Sequence, residues 1–324
     1  MKISKPAIPL GSVVVVIGAN GYIGAEVCQK LLEVGYRVRG TVRDIGHCNW
    51  MHQIINKDLP EQFELVRVQN FEADGAFDHA FKGAARVLYI STPIIFNPDS
   101  AKVVEPTVNA VETTAYNQPH ELTAKTFNHE ALQKTRNEPA SPTFQRSLDV
   151  YSAGRTAAEL AFWSWIEEKK LPFVANCVVP DGNYGRVLGC EYAGQGSSFG
   201  MLKRAFAGEW ADVFSHLTYY IDVEDCARLL VAALTLPSVK SERIFAYFKN
   251  GIWNDLRLRV QELFPDRTDI VTGDDFVIEG KDLSTAPEPI QRAKEVLQEI
   301  GQPGFINEDD MLRKFVESMY GHNK

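Results

Sequence analysis

Positive charge is in short supply in this chain: 34 lysines and arginines stand against 42 aspartates and glutamates, a net of −8 over 324 residues. Without a net positive field to release counterions from a phosphate backbone, the composition argues against a dedicated nucleic-acid binder, and no nucleic-acid partner is expected. Cysteine is scarce and unpaired in pattern. Cys28, Cys48, Cys177, Cys190 and Cys226 are odd in number and lack any CxxC spacing, which argues against a disulfide framework or a zinc site and suits the reduced thiols of a cytoplasmic protein. The seven histidines form no HExxH or HxxxH pattern, so no metal is expected. Long apolar runs are missing as well. Cys226 to Leu236 is interrupted by Arg228 and is far short of the ~20 residues of a bilayer span, so no membrane partner is expected. Lys2, Lys5 and the apolar run after them have the outline of a signal peptide, but the prolines and glycines around them favour a buried strand.

What is present is the composition of a globular protein, 45% hydrophobic and 23% charged. At roughly 150 residues per domain, the length suits two domains or one large α/β unit with an appendage. Residues 12–17, mostly β-branched, read as a parallel strand buried on both faces. Ile23, Val27 and Leu31 follow at helical spacing, and Gly35 is placed to end that helix. Tyr36–Val42, Phe63–Val68 and Val87–Ser91 read as further strands, with a short helix around Asp74–Phe81. This strand–helix alternation predicts an α/β fold with a doubly wound parallel sheet. Farther on, a helix is expected from Tyr151 to about Lys169 and a strand over Phe173–Val179. Asp222 should cap a helix carrying Val223, Ala227, Leu230, Val231 and Leu234, and Asn307 a final one.

Two segments carry chemistry. Gly18-Ala19-Asn20-Gly21-Tyr22-Ile23-Gly24 lies between the first strand and the first helix. Glycines there allow a sharp turn and close approach to a pyrophosphate, and the helix N-terminus offers it N–H groups. Dinucleotide binding follows as the expectation. The next strand ends at Arg43-Asp44; an arginine there suits a ribose 2′-phosphate, favouring NADP(H) over NAD, although Asp44 works against it. Farther along, Tyr151 and Arg155 stand one helical turn apart. A cation beside a tyrosine favours the phenolate and lowers its pKa from ~10, which makes the hydroxyl a better proton donor near neutrality.

These segments, VVVVIGANGYIG, GYRVRGTVRD and VYSAGRTAAELAFW, are joined by FEADGAFDHAFKGAARVLYISTP, VANCVVPDGNYG, YYIDVEDCARLLVAAL and ERIFAYFKNGIWNDL. Together they resemble the extended short-chain dehydrogenase/reductases over nearly the whole chain. Within that family the likeness is to fungal NADPH-dependent aldehyde and ketone reductases related to plant dihydroflavonol reductases. The resemblance implies a Rossmann sheet in an NADP-binding domain over 1–180. It implies a smaller α+β, mainly substrate-binding region over 181–324, with 218–236 returning to the first domain. It also implies a catalytic Ser/Thr, Tyr and Lys. Tyr151 matches the proton-donating tyrosine, Thr92-Pro93 the turn after the fourth strand, and Pro180 the proline near the nicotinamide.

Three departures stand out. Arg155 replaces the lysine that in the family binds the nicotinamide ribose, so the resemblance implies cofactor-binding roles for Tyr151 and Arg155 as well, but arginine is a planar fork and not a point donor. Asn70 replaces the acidic residue near the adenine. Only 94–150 separate Pro93 from Tyr151, about twenty residues too few for the family's crossover helix, fifth strand and loop. In that segment Asn109–Thr114 is the one candidate strand, which would place Thr114 where the catalytic serine stands. The expected activity is therefore NADPH-dependent reduction of a small-molecule aldehyde or ketone. A catalytically altered NADP(H)-binding paralogue or sensor, and a redox-neutral isomerase or cyclase, remain open beside it, as does the choice between monomer and homodimer. Phe199, Met201, Phe206, Trp210 and Tyr219 fit a substrate pocket and a packed core equally well.

Overall fold

The computed structural model describes residues 1–55, 60–71, 73–90, 97, 99, 120–192, 198–214, 217–277 and 282–321, without the side chains of 144, 145 and 212. In chain order the first half carries β1 (Val13–Ile17), α1 (Tyr22–Val34), β2 (Arg37–Val42), α2 (Trp50–Ile54), β3 (Phe63–Arg67), α3 (Asp78–Phe81) and β4 (Arg86–Tyr89). Then come α4 (His129–Asn137), α5 (Phe144–Lys169), β5 (Cys177–Pro180), β6 (Gly182–Tyr184), α6 (Ser198–Ala207) and β7 (Tyr220–Asp222). The chain continues through α7 (Val223–Thr235), β8 (Arg243–Ala246), α8 (Trp253–Leu263), α9 (Pro287–Glu299) and α10 (Glu308–Tyr320). None of the described helices is long and apolar enough to cross a membrane.

β1 to β4 form a parallel sheet in the order β3-β2-β1-β4. Strand order reverses beside β1, so the loop leaving β1 opens at the switch point, where ligands of doubly wound sheets bind. Val14, Val15, Val16 and Ile17 are buried, as the β-branched run requires. Gly35 ends α1 at φ 100°, its N–H turned back to the Leu31 and Leu32 carbonyls. Val27, Cys28 and Leu31 of α1 join Val14 and Val16 in one core, and Ala227 and Val231 of α7 complete it. The other side of α7 packs Cys226, Leu229 and Ala232 with Ile244 of β8 and Val296 of α9. A separate core joins Phe199 and Phe206 of α6, Leu256 of α8 and Phe315 of α10.

Both predicted caps are present. Asp222 Oδ1 accepts the Glu224 N–H at 2.7 Å, and Asn307 Oδ1 accepts the Asp310 N–H at 2.9 Å. Several boundaries differ from expectation; the short helix around Asp74–Phe81, for one, is only Asp78–Phe81. α5 opens at Phe144 and not at Tyr151, because Thr143 caps it by accepting the Arg146 N–H at 3.1 Å. The strand expected over Phe173–Val179 is only Cys177–Pro180, since Phe173 and Val174 are 54% and 49% exposed. β5 pairs with β8, and β6 with β7, all parallel. Among the described residues no strand joins β4 to β5, and Val87 and Tyr89 on β4 are 40% and 42% exposed. The candidate strand 109–114 lies outside the described residues.

Candidate active site

The glycine loop is a cradle built from backbone. Gly18 turns out of β1 at φ 84°, a conformation that β-carbons resist. Gly21 closes the turn with its N–H 3.1 Å from the Gly18 carbonyl oxygen, and then caps α1. A Cβ on Gly24 would stand 2.0 Å from that same oxygen, so only glycine lets the first turn of α1 lie on the loop. Gly40 of β2 is similarly close: its Cβ would meet that of Ala19 at 2.7 Å. The first turn of α1 carries no acidic side chain, and its N–H groups lack intrahelical acceptors. These features fit a dinucleotide pyrophosphate. Tyr22 and Ile23 complete the loop; the Tyr22 hydroxyl donates to the Gly185 carbonyl at 3.1 Å.

At the end of β2, Arg43 and Asp44 are both exposed. The Asp44 carboxylate is engaged by its own turn. It accepts the His47 N–H at 3.2 Å and lies 3.6 Å from His47 Nδ1, and that N–H bond holds its pKa below the usual carboxylate range. Asp44 thus keeps its negative charge beside Arg43 and still works against a 2′-phosphate there. Asn70 is exposed three residues beyond the end of β3.

Tyr151 and Arg155 sit two and three turns into α5, and the Arg155 guanidinium lies over the Tyr151 ring, 5.6 Å from its centroid. Arg155 also acts electrostatically on Tyr89 at the end of β4 and on Cys177 at the start of β5. The pair therefore stands where the two sheet pieces approach one another. Pro180 ends β5 in register with Ala246. Thr92, Pro93 and Thr114 lie outside the described residues.

Asp181, which follows Pro180, was not anticipated. Burial pushes its pKa up to about 7, and the Asp282 carboxylate adds to the rise while Thr218 and the Tyr219 N–H bond it. Nothing local in VVPDGNYG marks it, because Asp282 is a hundred residues away. The proposed pocket side chains are mostly packing. Phe199 touches Tyr22 with ring centroids 5.1 Å apart, Phe206 meets Phe315 at 5.6 Å, and Tyr219 stacks on Tyr247 at 4.7 Å. Trp210 stacks on Phe276 at 4.6 Å, and Met201 packs at the edge of the same core as Phe199.

A parallel sheet with a glycine cradle at its switch point, followed by a tyrosine–cation pair on a later helix, defines a dinucleotide-binding enzyme fold. Residues 14–246 match the NAD dependent epimerase/dehydratase family, and the chain belongs to that family. It is 30% identical to aldehyde reductase 2 of Sporidiobolus salmonicolor, with 98% of each chain covered. It is also 30% identical to ketoreductase adrE of Penicillium rubens, over 81% of this chain and 84% of that one. The first alignment has 348 positions against 324 residues here, so at least two dozen positions of it have no counterpart in this chain. Among solved structures, Gre2 of Candida albicans in complex with NADPH superposes with a TM-score of 0.78 at 19% identity, covering 97% of this chain and 100% of that one.

Proposed function

We propose that the protein is an NADP(H)-dependent oxidoreductase that reduces an aldehyde or ketone to the alcohol. The observation that carries this reading is the Tyr151–Arg155 pair, 5.6 Å from guanidinium to ring centroid, on a helix whose Arg155 acts electrostatically on Tyr89 of β4, in the sheet that carries the glycine cradle. The names of the two relatives, an aldehyde reductase and a ketoreductase, agree with it.

Gly18, Gly21, Tyr22, Ile23 and Gly24 would hold the pyrophosphate and Arg43 the 2′-phosphate, with Asn70, Thr92, Pro93 and Pro180 along the remainder of the cofactor. When bound, NADPH supplies a hydride to the carbonyl carbon. Tyr151 gives its hydroxyl proton to the carbonyl oxygen, and Arg155 stabilises the phenolate left behind. Thr114 is the candidate to orient the carbonyl.

Following NADPH absorbance against a panel of aldehydes, diketones and aromatic ketones tests this. Tyr151→Phe should lower kcat by about 10²-fold or more, the share that a positioned general acid contributes. NADPH affinity should change less than about threefold, since the hydroxyl and not the ring is removed. Turnover that persists in Tyr151→Phe would overturn the role of Tyr151. NADPH binding without oxidation by any carbonyl would favour a cofactor-binding paralogue, for which Arg155 in place of lysine is the favouring observation.

A further inference from the structure

Glu26 lies in the second turn of α1, the helix whose N-terminus forms the cradle, and it is fully buried. A buried carboxylate there opposes the binding of an anionic pyrophosphate unless it is neutralised. One residue reaches it from 160 positions away in the sequence. Arg186 Nε donates to Glu26 Oε1 at 2.7 Å, and its Nη2 donates to Glu26 Oε2 at 2.8 Å and to Gln29 Oε1 at 2.7 Å. This two-pronged grip fixes orientation as well as charge. Arg186 comes just after β6, on the segment that runs from Pro180, and the neighbouring Gly185 carbonyl accepts from Tyr22 in the cradle at 3.1 Å. The first two turns of α1 are thus held at two points by one short segment of the other half of the chain. Lys30, another cation on this face, pairs with Glu224 at 2.9 Å and Glu33 at 3.1 Å and acts on Glu26 only through space; Arg186, although its Nη2 also lies 3.5 Å from Glu224 Oε2, is the fork across both Glu26 oxygens.

We propose that Arg186 is a positioning residue for the cofactor, acting through Glu26: it cancels that carboxylate and holds the cradle turn of α1 in its nucleotide-binding place. The inference rests on the NADP(H) reading above. Titration of NADPH fluorescence into the purified protein reads it directly, beside thermal melts of each variant without cofactor.

Arg186→Met should weaken NADPH binding about tenfold or more, because it leaves Glu26 buried and uncompensated. Arg186→Lys, which keeps the charge and loses the fork, should fall between that variant and the parent. Adding Glu26→Gln to Arg186→Met should recover affinity to within about threefold of the parent, and affinity that falls in Arg186→Lys while its melt without cofactor matches the parent's is the readout that a residue merely stabilising the fold would not move. Wild-type protein that fails to bind NADPH would overturn the cofactor reading and this inference together. Wild-type binding with unchanged affinity in folded Arg186→Lys and Arg186→Met, or no recovery on adding Glu26→Gln, would overturn the role of Arg186 alone. If Arg186→Met does not fold, Arg186→Lys with and without Glu26→Gln decides in the same way.

Discussion

The two carboxyl oxygens of Asp222 do different work. Oδ1 caps α7, whereas Oδ2 is buried with no hydrogen-bond partner, against Gly185, where an added Cβ would lie 2.7 Å from it. Burial pushes the pKa from 3.8 up to about 7, although Lys314 pulls the other way. An unfolded chain releases this proton near pH ~4, while the folded one keeps it to about 7. The group's contribution to stability is therefore complete below pH ~4 and is lost as pH rises through 7. Asp222→Asn keeps a capping oxygen and cannot ionise. Thermal melts between pH 4 and 8 should show a flatter profile for this variant than for the parent, with an equal or higher Tm at pH 8; an unchanged slope would contradict the assignment. The cap itself was legible in the sequence, as was the one-turn spacing of Tyr151 and Arg155. The buried Oδ2 was not, because Gly185 and Lys314 reach it from distant parts of the chain, and no local spacing records such a meeting.

Elements were legible where a period and a stop signal coincided. β1, α1 and β2 fall within a residue of expectation because a β-branched run, a helical stripe and Gly35 each say the same thing. α9 escaped notice because its inward side is modest, Pro289, Ala293, Val296 and Leu297 among charged neighbours. α4 buries only Ala131 and is announced by little beyond the Asn128 cap, whose Oδ1 accepts the Ala131 N–H at 2.9 Å. The glycine cradle is the element whose failure should be sharpest. Gly24→Ala drives a Cβ to 2.0 Å from the Gly18 oxygen, backbone against backbone, so the loop must open. Urea unfolding should show a loss of about 1–3 kcal/mol, the usual cost of overpacking, together with NADPH binding reduced beyond detection by fluorescence titration. Retained binding would show that the cradle yields without losing its function.

Across the whole molecule, buried ion pairs tie together parts that the sequence keeps far apart. Arg243 of β8 donates to Glu159 of α5 at 2.8 Å, with both side chains nearly or fully buried. Its guanidinium also lies over Phe127 and Phe245, 4.3 and 4.6 Å from the ring centroids. This contact fixes the helix that carries Tyr151 to the C-terminal piece of the sheet. Arg243→Met should cost about 3–5 kcal/mol in urea unfolding, since it strands the Glu159 charge, and Glu159→Gln in the same chain should restore part of that loss. A cost below about 1 kcal/mol would mean that the packing and not the pair holds the helix. The closing of α1 by α7 has a different consequence, one of timing. Chains emerge from the ribosome N-terminus first, and β1 through β4 are complete long before Ala227 and Val231 are made. Through that interval Val27 and Leu31 lack the side chains that finally cover them, so the nascent protein presents an apolar stripe to whatever chaperone attends it. The helix shaped to receive a nucleotide is sealed into the fold only near the end of synthesis.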